Sequence, residues 1–346
     1  MAFHDEILEQ PAALARLLDA ARAGAFADLG VALRQRRPRF VLIAARGTSD
    51  NAALYAQYLF AVRNSLAVAL AAPSTITLYG ARPDMRDALV IGISQSGRSP
   101  DIVAVLDEAR GQGALTVALV NDSNSPLAAA ADHVVGLQAG PERATAATKS
   151  YTTELLAVAL VSTALDLASA QEAADLARLP ELAAAALETE NAARMIARGH
   201  AARTHGVVLG RGYAYATARE WSLKLQELAQ LLVQPYSTAD FEHGPLALAE
   251  PGFAVLAVAP SGVALDGQLE VLQRLRTEFG ASVLVISDAE EALSIDAGLR
   301  LPANVPDWLS PVIEIIPGQL YAYHLTLARE LDPDRPRIIA KVTETL

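Results

Sequence analysis

The sequence has 346 residues, no cysteine and a formal net charge of −11. With 52% hydrophobic and 19% charged residues, the chain can bury one large core or two, and it is not an intrinsically disordered protein. The acidic balance argues against a nucleic-acid-binding protein. The lack of cysteine excludes disulfide scaffolds, thiolate metal sites and a cysteine nucleophile among these residues.

The N-terminus does not have the pattern of a secretory signal. Residues 1–6 are acidic and lack a basic segment followed by an apolar one. The longest strongly apolar run, residues 155–165, is bounded by Glu154 and Asp166. It is shorter than the roughly 20 residues that cross a bilayer. We therefore expect a cytoplasmic protein that does not bind membranes, and we interpret the run as a buried helix.

The first half of the sequence alternates apolar runs with helical patterns. This pattern predicts strands at 40–44, 89–93 and 115–120, and helices at about 51–60 and 100–110. Such alternation is typical of a parallel sheet with helices on both faces. The sequence therefore predicts an α/β fold.

The second half repeats the same order of elements. It predicts strands at 206–209, 254–259 and 282–286, a helix after Arg211-Gly212, and a helix from Ser261-Gly262 to Phe279. Arg46-Gly47 and Ser96-Gly97 each recur 165 residues later, and Asn121-Asp122 is matched 166 residues later by Ser287-Asp288. We therefore predict a duplicated unit, with domains at 1–180 and 181–346. A helical stretch at about 170–200, broken at Pro180, would lie between the copies.

A serine-rich loop at residues 94–99 separates a predicted strand from a predicted helix. Ser99 suits the N-cap and Pro100 the first helical position, and Gly97 would let backbone N–H groups turn toward one point. Hydroxyl donors at a helix N-terminus favour a dianionic phosphate, although an ordinary polar loop is the alternative. The second copy, residues 259–264, has lost most of these donors, so we expect the phosphate in the first half.

Three charged residues, Glu220, Lys224 and Glu227, are spaced i, i+4 and i+7 on the helix after Arg211-Gly212. This spacing places them on one helical face. It is typical of a surface ion-pair ladder, but the apolar neighbours of the three residues also allow a charged stripe that faces a cleft.

His243 is followed by Gly244-Pro245, which prevents a helix from continuing and holds the imidazole on a turn. Histidine exchanges protons near neutral pH, as the opening of a sugar ring requires. The other five histidines lack such a setting, and their spacings predict no metal site. Lys341 follows an apolar trio near the C-terminus. It is either a solvated charge or, if it is buried, an amine with a lowered pKa.

Together these residues resemble a tandem sugar isomerase (SIS) domain protein. The chain is similar to the isomerase half of glucosamine-6-phosphate synthase and to stand-alone relatives that deaminate amino-sugar phosphates. The matching segments follow in order along nearly the whole chain: 6–11, 46–49, 93–97, 147–152, 210–212, 223–227, 243–248 and 340–343. The resemblance implies two tandem flavodoxin-like domains, no cofactor, and a homodimer with active sites at the subunit interface.

The resemblance also implies which residues bind the substrate. The phosphate would be held by Thr48, Ser49, Ser94, Gln95, Ser96 and Ser99. Thr145 and Ala147 would touch the sugar through backbone groups. Arg143 stands where relatives usually have a smaller residue, which could reshape the sugar pocket.

Four further residues receive catalytic roles from the same resemblance. Glu227 would move a proton between C1 and C2, and Lys224 would place positive charge near the substrate oxygens. His243 would open the ring in the site of the partner subunit. Lys341 would lie at the open-chain carbonyl, where the synthase lysine forms a Schiff base.

The synthase takes ammonia from glutamine with an N-terminal cysteine on a separate domain. This chain begins at the isomerase segment and has no cysteine, so we expect no glutamine-dependent synthesis. We expect ammonia release from glucosamine 6-phosphate, giving fructose 6-phosphate. The alternatives are a fructosamine 6-phosphate deglycase, an enzyme for galactosamine or tagatose phosphates, and a non-catalytic sugar-phosphate sensor. A sensor would need the serine loop but not Glu227, His243 and Lys341 together.

Overall fold

The computed structural model describes residues 1–338, which form two parallel sheets flanked by helices. The first half of the chain contains α1 (Ala2–Leu8), α2 (Gln10–Arg22), α3 (Ala27–Arg36), β1 (Phe40–Ala44), α4 (Thr48–Asn64), β2 (Ala67–Leu70), α5 (Ser74–Thr77), β3 (Ala88–Ser94), α6 (Pro100–Gly111), β4 (Leu115–Val120), α7 (Pro126–Ala130), β5 (His133–Gly136), α8 (Lys149–Asp166) and α9 (Ala170–Leu187). The second half contains α10 (Glu190–Gly199), β6 (His205–Gly210), α11 (Ala214–Ala229), β7 (Leu232–Ser237), α12 (Thr238–Glu242), β8 (Ala254–Val258), α13 (Leu265–Thr277), β9 (Ser282–Ser287), α14 (Glu290–Leu293), β10 (Ala297–Arg300) and α15 (Ser310–Ala328). Single 3-10 turns lie at Pro245–Leu248 and Asp307–Leu309.

The chain divides into two compact units that are interleaved along the sequence. The sheet A unit contains Ala12–Glu142 and Lys149–Ala177. The sheet B unit contains Met1–Pro11, Arg143–Thr148 and residues 178–338. The N-terminal helix and a short segment near residue 145 therefore belong with the second sheet, although they lie in the first half of the sequence.

Sheet A has the strand order β2-β1-β3-β4-β5, with every pairing parallel. Its central strands β3 and β4 are buried at every position. This burial explains their continuous apolar sequences, because helices cover both faces of a parallel sheet. The α/β fold and the strands predicted at 40–44, 89–93 and 115–120 are confirmed.

Sheet B has the order β10-β9-β8-β6-β7, again with parallel pairings. Counted from the first strand of each copy, this is the same order as in sheet A. The predicted repeat at an offset of about 165 residues therefore corresponds to a repeat of topology, and both sheets have flavodoxin-like order.

The four strands without a sequence prediction, β2, β5, β7 and β10, are the edge strands of the two sheets. All four have exposed or half-buried positions. An edge strand is covered less completely than a central one, so its sequence needs no continuous apolar run.

The helix break predicted at Pro180 is wrong, because α9 continues through this residue to Leu187. Proline removes one N–H from the helical ladder. Leu179, Leu182 and Ala183 around it are buried, and their packing offsets this local loss. By contrast, the buried helix predicted at 155–165 is confirmed within α8. Among the described residues, no helix combines the length and the apolar character needed to cross a membrane.

Gly206 offers a test of the packing in sheet B. A β-carbon there would lie 2.4 Å from the carbonyl oxygen of Ala254 on the neighbouring strand. We expect Gly206→Ala to lower the free energy of unfolding by about 2 kcal/mol, as overpacking does. Urea unfolding measures the change.

Gly267→Ala is the matched control, because Gly267 lies on α13 with open space around its α-carbon. Alanine is the better helix former, so this variant should gain about 0.5–1 kcal/mol. Equal stabilities of the two variants would contradict the packing at Gly206.

Candidate active site

The residues predicted to bind phosphate lie at the point of sheet A where the strand order reverses. β1 and β3 are neighbours, and the chain leaves them toward opposite sides of the sheet, to β2 and to β4. Loops that follow two such strands form the crevice in which open α/β sheets bind ligands. Thr48 and Ser49 follow β1 at the start of α4, and the serine loop 94–99 connects β3 to α6.

The serine loop is held by its own hydroxyl groups. The N–H of Gly97 donates to Ser94 Oγ at 3.1 Å, and the N–H of Arg98 donates to Ser96 Oγ at 3.4 Å. The N–H groups of Gly97 and Arg98 are therefore used within the loop. The hydroxyls of Ser94 and Ser96 accept these bonds, and each still carries a hydrogen that it can donate to a ligand.

Gly97 is required for this loop geometry. Its φ is +64°, a left-handed conformation that glycine adopts without steric cost. A β-carbon would lie 2.1 Å from Ser125 Oγ, at the N-cap of α7. As predicted, Ser99 is the N-cap of α6 and Pro100 begins the helix. The Ser99 hydroxyl makes no capping hydrogen bond, so it too can serve a ligand.

Arg46 is a cation beside the serine loop, and it was not among the predicted site residues. Arg46 Nε and Nη2 donate to Asp101 Oδ2 at 2.9 and 2.8 Å. Asp101 is buried in the first turn of α6, whereas the Arg46 side chain is 47% exposed. The Arg-Gly repeat in the sequence marked Arg46 as part of the duplication, but nothing in it indicated this ion pair.

Ser49 forms a hydrogen bond with a buried residue of the sheet A unit. Its hydroxyl donates to Glu154 Oε1 on α8 at 2.8 Å, so this hydrogen is already used. Ser49 lies in the first turn of α4, where backbone N–H groups have no partner within the helix. Its remaining donor toward a ligand is therefore its backbone N–H.

The corresponding edge of sheet B is acidic. The N–H of Ser261 donates to Asp288 Oδ1 at 2.7 Å, and a β-carbon on Gly262 would lie 3.1 Å from the Asp307 carboxylate. Two carboxylates in this position repel a phosphate. The first copy therefore stays the predicted place of the phosphate.

Glu220, Lys224 and Glu227 form a continuous line of charges on α11. Lys224 Nζ lies 3.3 Å from Glu220 Oε1 and 2.5 Å from Glu227 Oε2. The side chains of Glu220 and Lys224 are fully buried, while that of Glu227 is 21% exposed. The predicted shared face is confirmed, and the alternative of a surface ladder is wrong.

Lys224 is held in its charged form. Burial by itself lowers the pKa of the Lys224 ammonium, but the carboxylates of Glu220 and Glu227 outweigh burial and raise the pKa above its ordinary value. A proton acceptor at this place must therefore be a carboxylate. Of the three residues, Glu227 is the one that solvent reaches.

His243 lies immediately after α12, and its side chain is exposed. Gly244 has a φ of +134° and Pro245 begins a 3-10 turn, so the predicted end of the helix is confirmed. The sequence pair Gly-Pro thus presents the imidazole on a fixed turn.

The remaining predicted residues lie elsewhere. Thr145 and Ala147 are half-buried in the segment Arg143–Thr148 of the sheet B unit. Lys341 lies outside the described residues. Within residues 1–338, no group of three or more His, Asp or Glu side chains is placed to hold a metal ion.

Each unit also contains a buried carboxylate bonded to a hydroxyl. In the sheet B unit, Thr217 Oγ1 on α11 donates to Glu314 Oε2 on α15 at 2.8 Å, as Ser49 donates to Glu154 in the sheet A unit. Glu314 is fully buried, and burial raises the pKa of its carboxyl to about 7. The hydroxyls of Ser310 and Thr217 lower the pKa of Glu314, but burial outweighs them, because a charged carboxylate is costly to bury.

Comparison with known proteins shows similarity along most of the chain. The model of the SIS domain family matches residues 33–164 and 201–329. The glutamine–fructose-6-phosphate aminotransferases (isomerizing) of Pyrococcus horikoshii and Thermococcus kodakarensis are each 34% identical to it, over 306 and 310 residues. These alignments cover 87% of this chain and 51% of each relative. The chain therefore spans about half the length of the curated relatives it matches.

Three solved structures have the same fold as this chain. A protein from Silicibacter pomeroyi DSS-3, provisionally classed as a phosphosugar isomerase, is 34% identical with a TM-score of 0.88, covering 96% of this chain and 100% of its own. The C-terminal domain of glucosamine-fructose-6-phosphate aminotransferase from Francisella tularensis is 27% identical with a TM-score of 0.87, covering 97% and 98%. Glucosamine-6-phosphate deaminase from Thermotoga maritima is 22% identical with a TM-score of 0.77 over the full length of both chains. This last similarity concerns the fold alone.

Replacing Glu314 should change how the free energy of unfolding depends on pH. In the folded protein the carboxyl stays protonated up to about pH 7, whereas the unfolded chain loses the proton near the ordinary value of 4.5. The native state thus binds more protons between these values, and stability falls as pH rises through that window. We expect Glu314→Gln to gain up to about 3 kcal/mol over the wild type from pH 4.5 to 8.

Urea unfolding at pH 5, 6, 7 and 8 measures this difference. Glu270→Gln, which changes an exposed residue on α13, is the control and should show no trend. A constant difference between Glu314→Gln and the wild type at all four pH values would contradict the raised pKa of Glu314.

Lys224→Met should strongly destabilise the protein. The change leaves the buried carboxylate of Glu220 near that of Glu227 without a cation between them, which costs about 3–5 kcal/mol. The double variant Glu220→Gln/Lys224→Met should recover part of this loss, because it removes one buried charge. A loss below about 1 kcal/mol in urea unfolding of the single variant would contradict the charge arrangement.

Proposed function

The chain belongs to the SIS domain family, and we propose that it is a phosphosugar isomerase that releases ammonia from an amino-sugar phosphate. The proposed reaction converts glucosamine 6-phosphate and water to fructose 6-phosphate and ammonia. The observation that carries the proposal is the Glu227 carboxylate, which reaches solvent while the buried ammonium of Lys224 fixes it at 2.5 Å. A carboxylate held in this way suits proton transfer within a bound sugar.

The phosphate would bind at the switch point of sheet A. Three hydroxyls are free to donate there, those of Ser94, Ser96 and Ser99, and the N-termini of α4 and α6 add positive potential. Thr48 and Gln95 flank this position, and Ser49 would contribute its backbone N–H. Arg46 adds a guanidinium at the rim, whose charge is partly offset by its ion pair with Asp101. These groups let a protein of net charge −11 bind a dianion locally.

The chemistry would begin with the open-chain sugar. Glu227 takes the proton from C2, which leaves an enolamine with a double bond between C1 and C2. It then returns the proton to C1, and one proton passes from the nitrogen to the oxygen of C1, so that the amine at C2 becomes an imine and C1 carries a hydroxyl. Water adds to the imine carbon and ammonia leaves, giving the ketose phosphate. Lys224 would stay protonated throughout, which keeps Glu227 oriented between the two proton transfers.

Two further groups complete the proposed mechanism. His243 is exposed on a rigid turn, which suits a residue that acts on a sugar bound by a second copy of the chain. We therefore propose a homodimer in which His243 opens the ring in the partner's site. Lys341, by its resemblance to the family lysine, would lie at the open-chain carbonyl.

Two further facts support ammonia as the leaving amine. The curated relatives are named for transfer of an amino group to fructose 6-phosphate. In addition, these 346 residues contain no cysteine, so they hold no thiol that could attack glutamine.

The direct test supplies the purified protein with glucosamine 6-phosphate and measures ammonia and fructose 6-phosphate. We expect both products in equal amounts from the wild type. Glu227→Gln should lower kcat by about 10²-fold or more, because the proton carrier is lost. Binding of the substrate, measured by calorimetry, should change little.

Glu270→Gln is the matched control and should retain wild-type kcat. Turnover of a galactosamine, fructosamine or tagatose phosphate but not of glucosamine 6-phosphate would overturn the proposed substrate. It would leave the isomerase mechanism in place. Full activity of Glu227→Gln would reject its role, and tight binding of all these sugars without turnover would favour a sensor.

A further inference from the structure

A segment of twelve residues without helix or strand, 137–148, connects β5 to α8. Connections of this length within a compact unit are uncommon and are often functional. Its last part, Arg143–Thr148, belongs to the sheet B unit. Exposure alternates along it: residues 143, 145 and 147 are accessible or half-buried, whereas residues 144, 146 and 148 are buried. Thr145 and Ala147 therefore lie on its accessible side, together with Arg143.

The carboxylate of Glu6 holds the start of this segment. Glu6 Oε1 accepts a hydrogen bond from the N–H of Arg143, and the N–H of Ala144 lies 3.2 Å from Oε2 and 3.4 Å from Oε1. Glu6 is only 4% exposed. Hydrogen bonds to an ionised carboxylate are stronger than those between neutral groups, so this contact fixes two successive peptide groups.

Glu6 is itself held in place by the docking of α1. The carboxylate of Asp334 accepts the N–H groups of Ala2 and Phe3, each at 2.9 Å. The side chains of Phe3 and Ile7 are fully buried on either side of Glu6. The short helix α1 thus presents the carboxylate from a defined position.

A second carboxylate fixes the segment where it enters α8. Within the sheet A unit, Glu142 accepts the N–H of Ser150 at 3.0 Å and its hydroxyl at 2.7 Å. Planar peptide groups leave only φ and ψ free at each residue. With the first two peptide groups held and residues 144, 146 and 148 buried, few directions remain for the N–H and C=O groups that follow.

We infer that Glu6 is a positioning residue for substrate binding, which orients the backbone of residues 143–148 toward the sugar. This inference rests on the proposed function, in which Thr145 and Ala147 contact the sugar through backbone groups. Glu6 itself touches no substrate. Its negative charge matters because two N–H donors converge on it, and an amide side chain would direct its own NH₂ group toward one of them.

The test compares Glu6→Gln with Glu9→Gln, which changes an exposed glutamate three residues along the chain. We expect Glu6→Gln to raise KM for glucosamine 6-phosphate about tenfold, because a charge-assisted hydrogen bond that orders the binding segment is lost. Its kcat should stay within about threefold, since Glu227 is untouched. Glu6→Asp keeps the charge and should restore part of the KM. Glu9→Gln should match the wild type.

Hydrogen exchange of the peptide that contains residues 143–148 provides a readout independent of turnover. Exchange should be faster in Glu6→Gln than in Glu9→Gln, with little change in β8 and β9. Unchanged exchange, or faster exchange with an unchanged KM, would overturn the inference. So would a loss of kcat at constant KM.

If the proposed function is wrong, the experiment gives a result that differs from failure of the positioning role of Glu6. In that case the wild type would turn over none of the sugar phosphates. Calorimetric titration of glucosamine 6-phosphate would then still compare its affinity for the wild type and Glu6→Gln. Weaker binding to Glu6→Gln with faster exchange supports the positioning role, and equal binding overturns it.

Discussion

Every strand pairing in the two sheets is parallel among the described residues. The carboxyl ends of five strands therefore meet at one edge of each sheet, and the helices that follow begin there. This constraint determines where polar groups can collect, since the strands themselves are buried among apolar side chains. The serine loop, Arg46 and the start of α4 share one such edge. Ser261, Asp288 and Asp307 share the other.

The two copies use the same topology with opposite electrostatics. In the first, hydroxyls and helix N-termini offer hydrogen-bond donors, and the buried carboxylate of Asp101 anchors a guanidinium at the rim. In the second, carboxylates occupy the corresponding edge, and a buried ammonium is needed to hold two glutamates of α11 together. In the proposed function, one copy would bind the phosphate and the other would transfer protons. A duplicated fold can divide binding and chemistry in this way, because each edge changes without disturbing the sheet behind it.

The sequence was sufficient for the central strands, the long buried helix α8 and the charged face of α11, since each produces a strong apolar or helical pattern. It was not sufficient for the edge strands, whose half-exposed positions carry no such pattern. Pro180 was misleading because the packing of Leu179 and Leu182 offsets one missing hydrogen bond. At the site, the residue types of the serine loop were evident. Contacts between distant residues, such as Arg46 with Asp101 or Glu6 with Arg143, leave no trace in local spacing.

The interleaving of the two units has a consequence for synthesis on the ribosome. The helix α1 emerges before its partners in the sheet B unit, α15 and Asp334, which follow about 300 residues later; at cellular elongation rates this interval is about 15–60 s. During that interval Phe3 and Ile7 have no core to enter. The carboxylate that holds residues 143–148 can reach its place only after α15 and Asp334 have been synthesised, so this segment becomes ordered late in the folding of the sheet B unit.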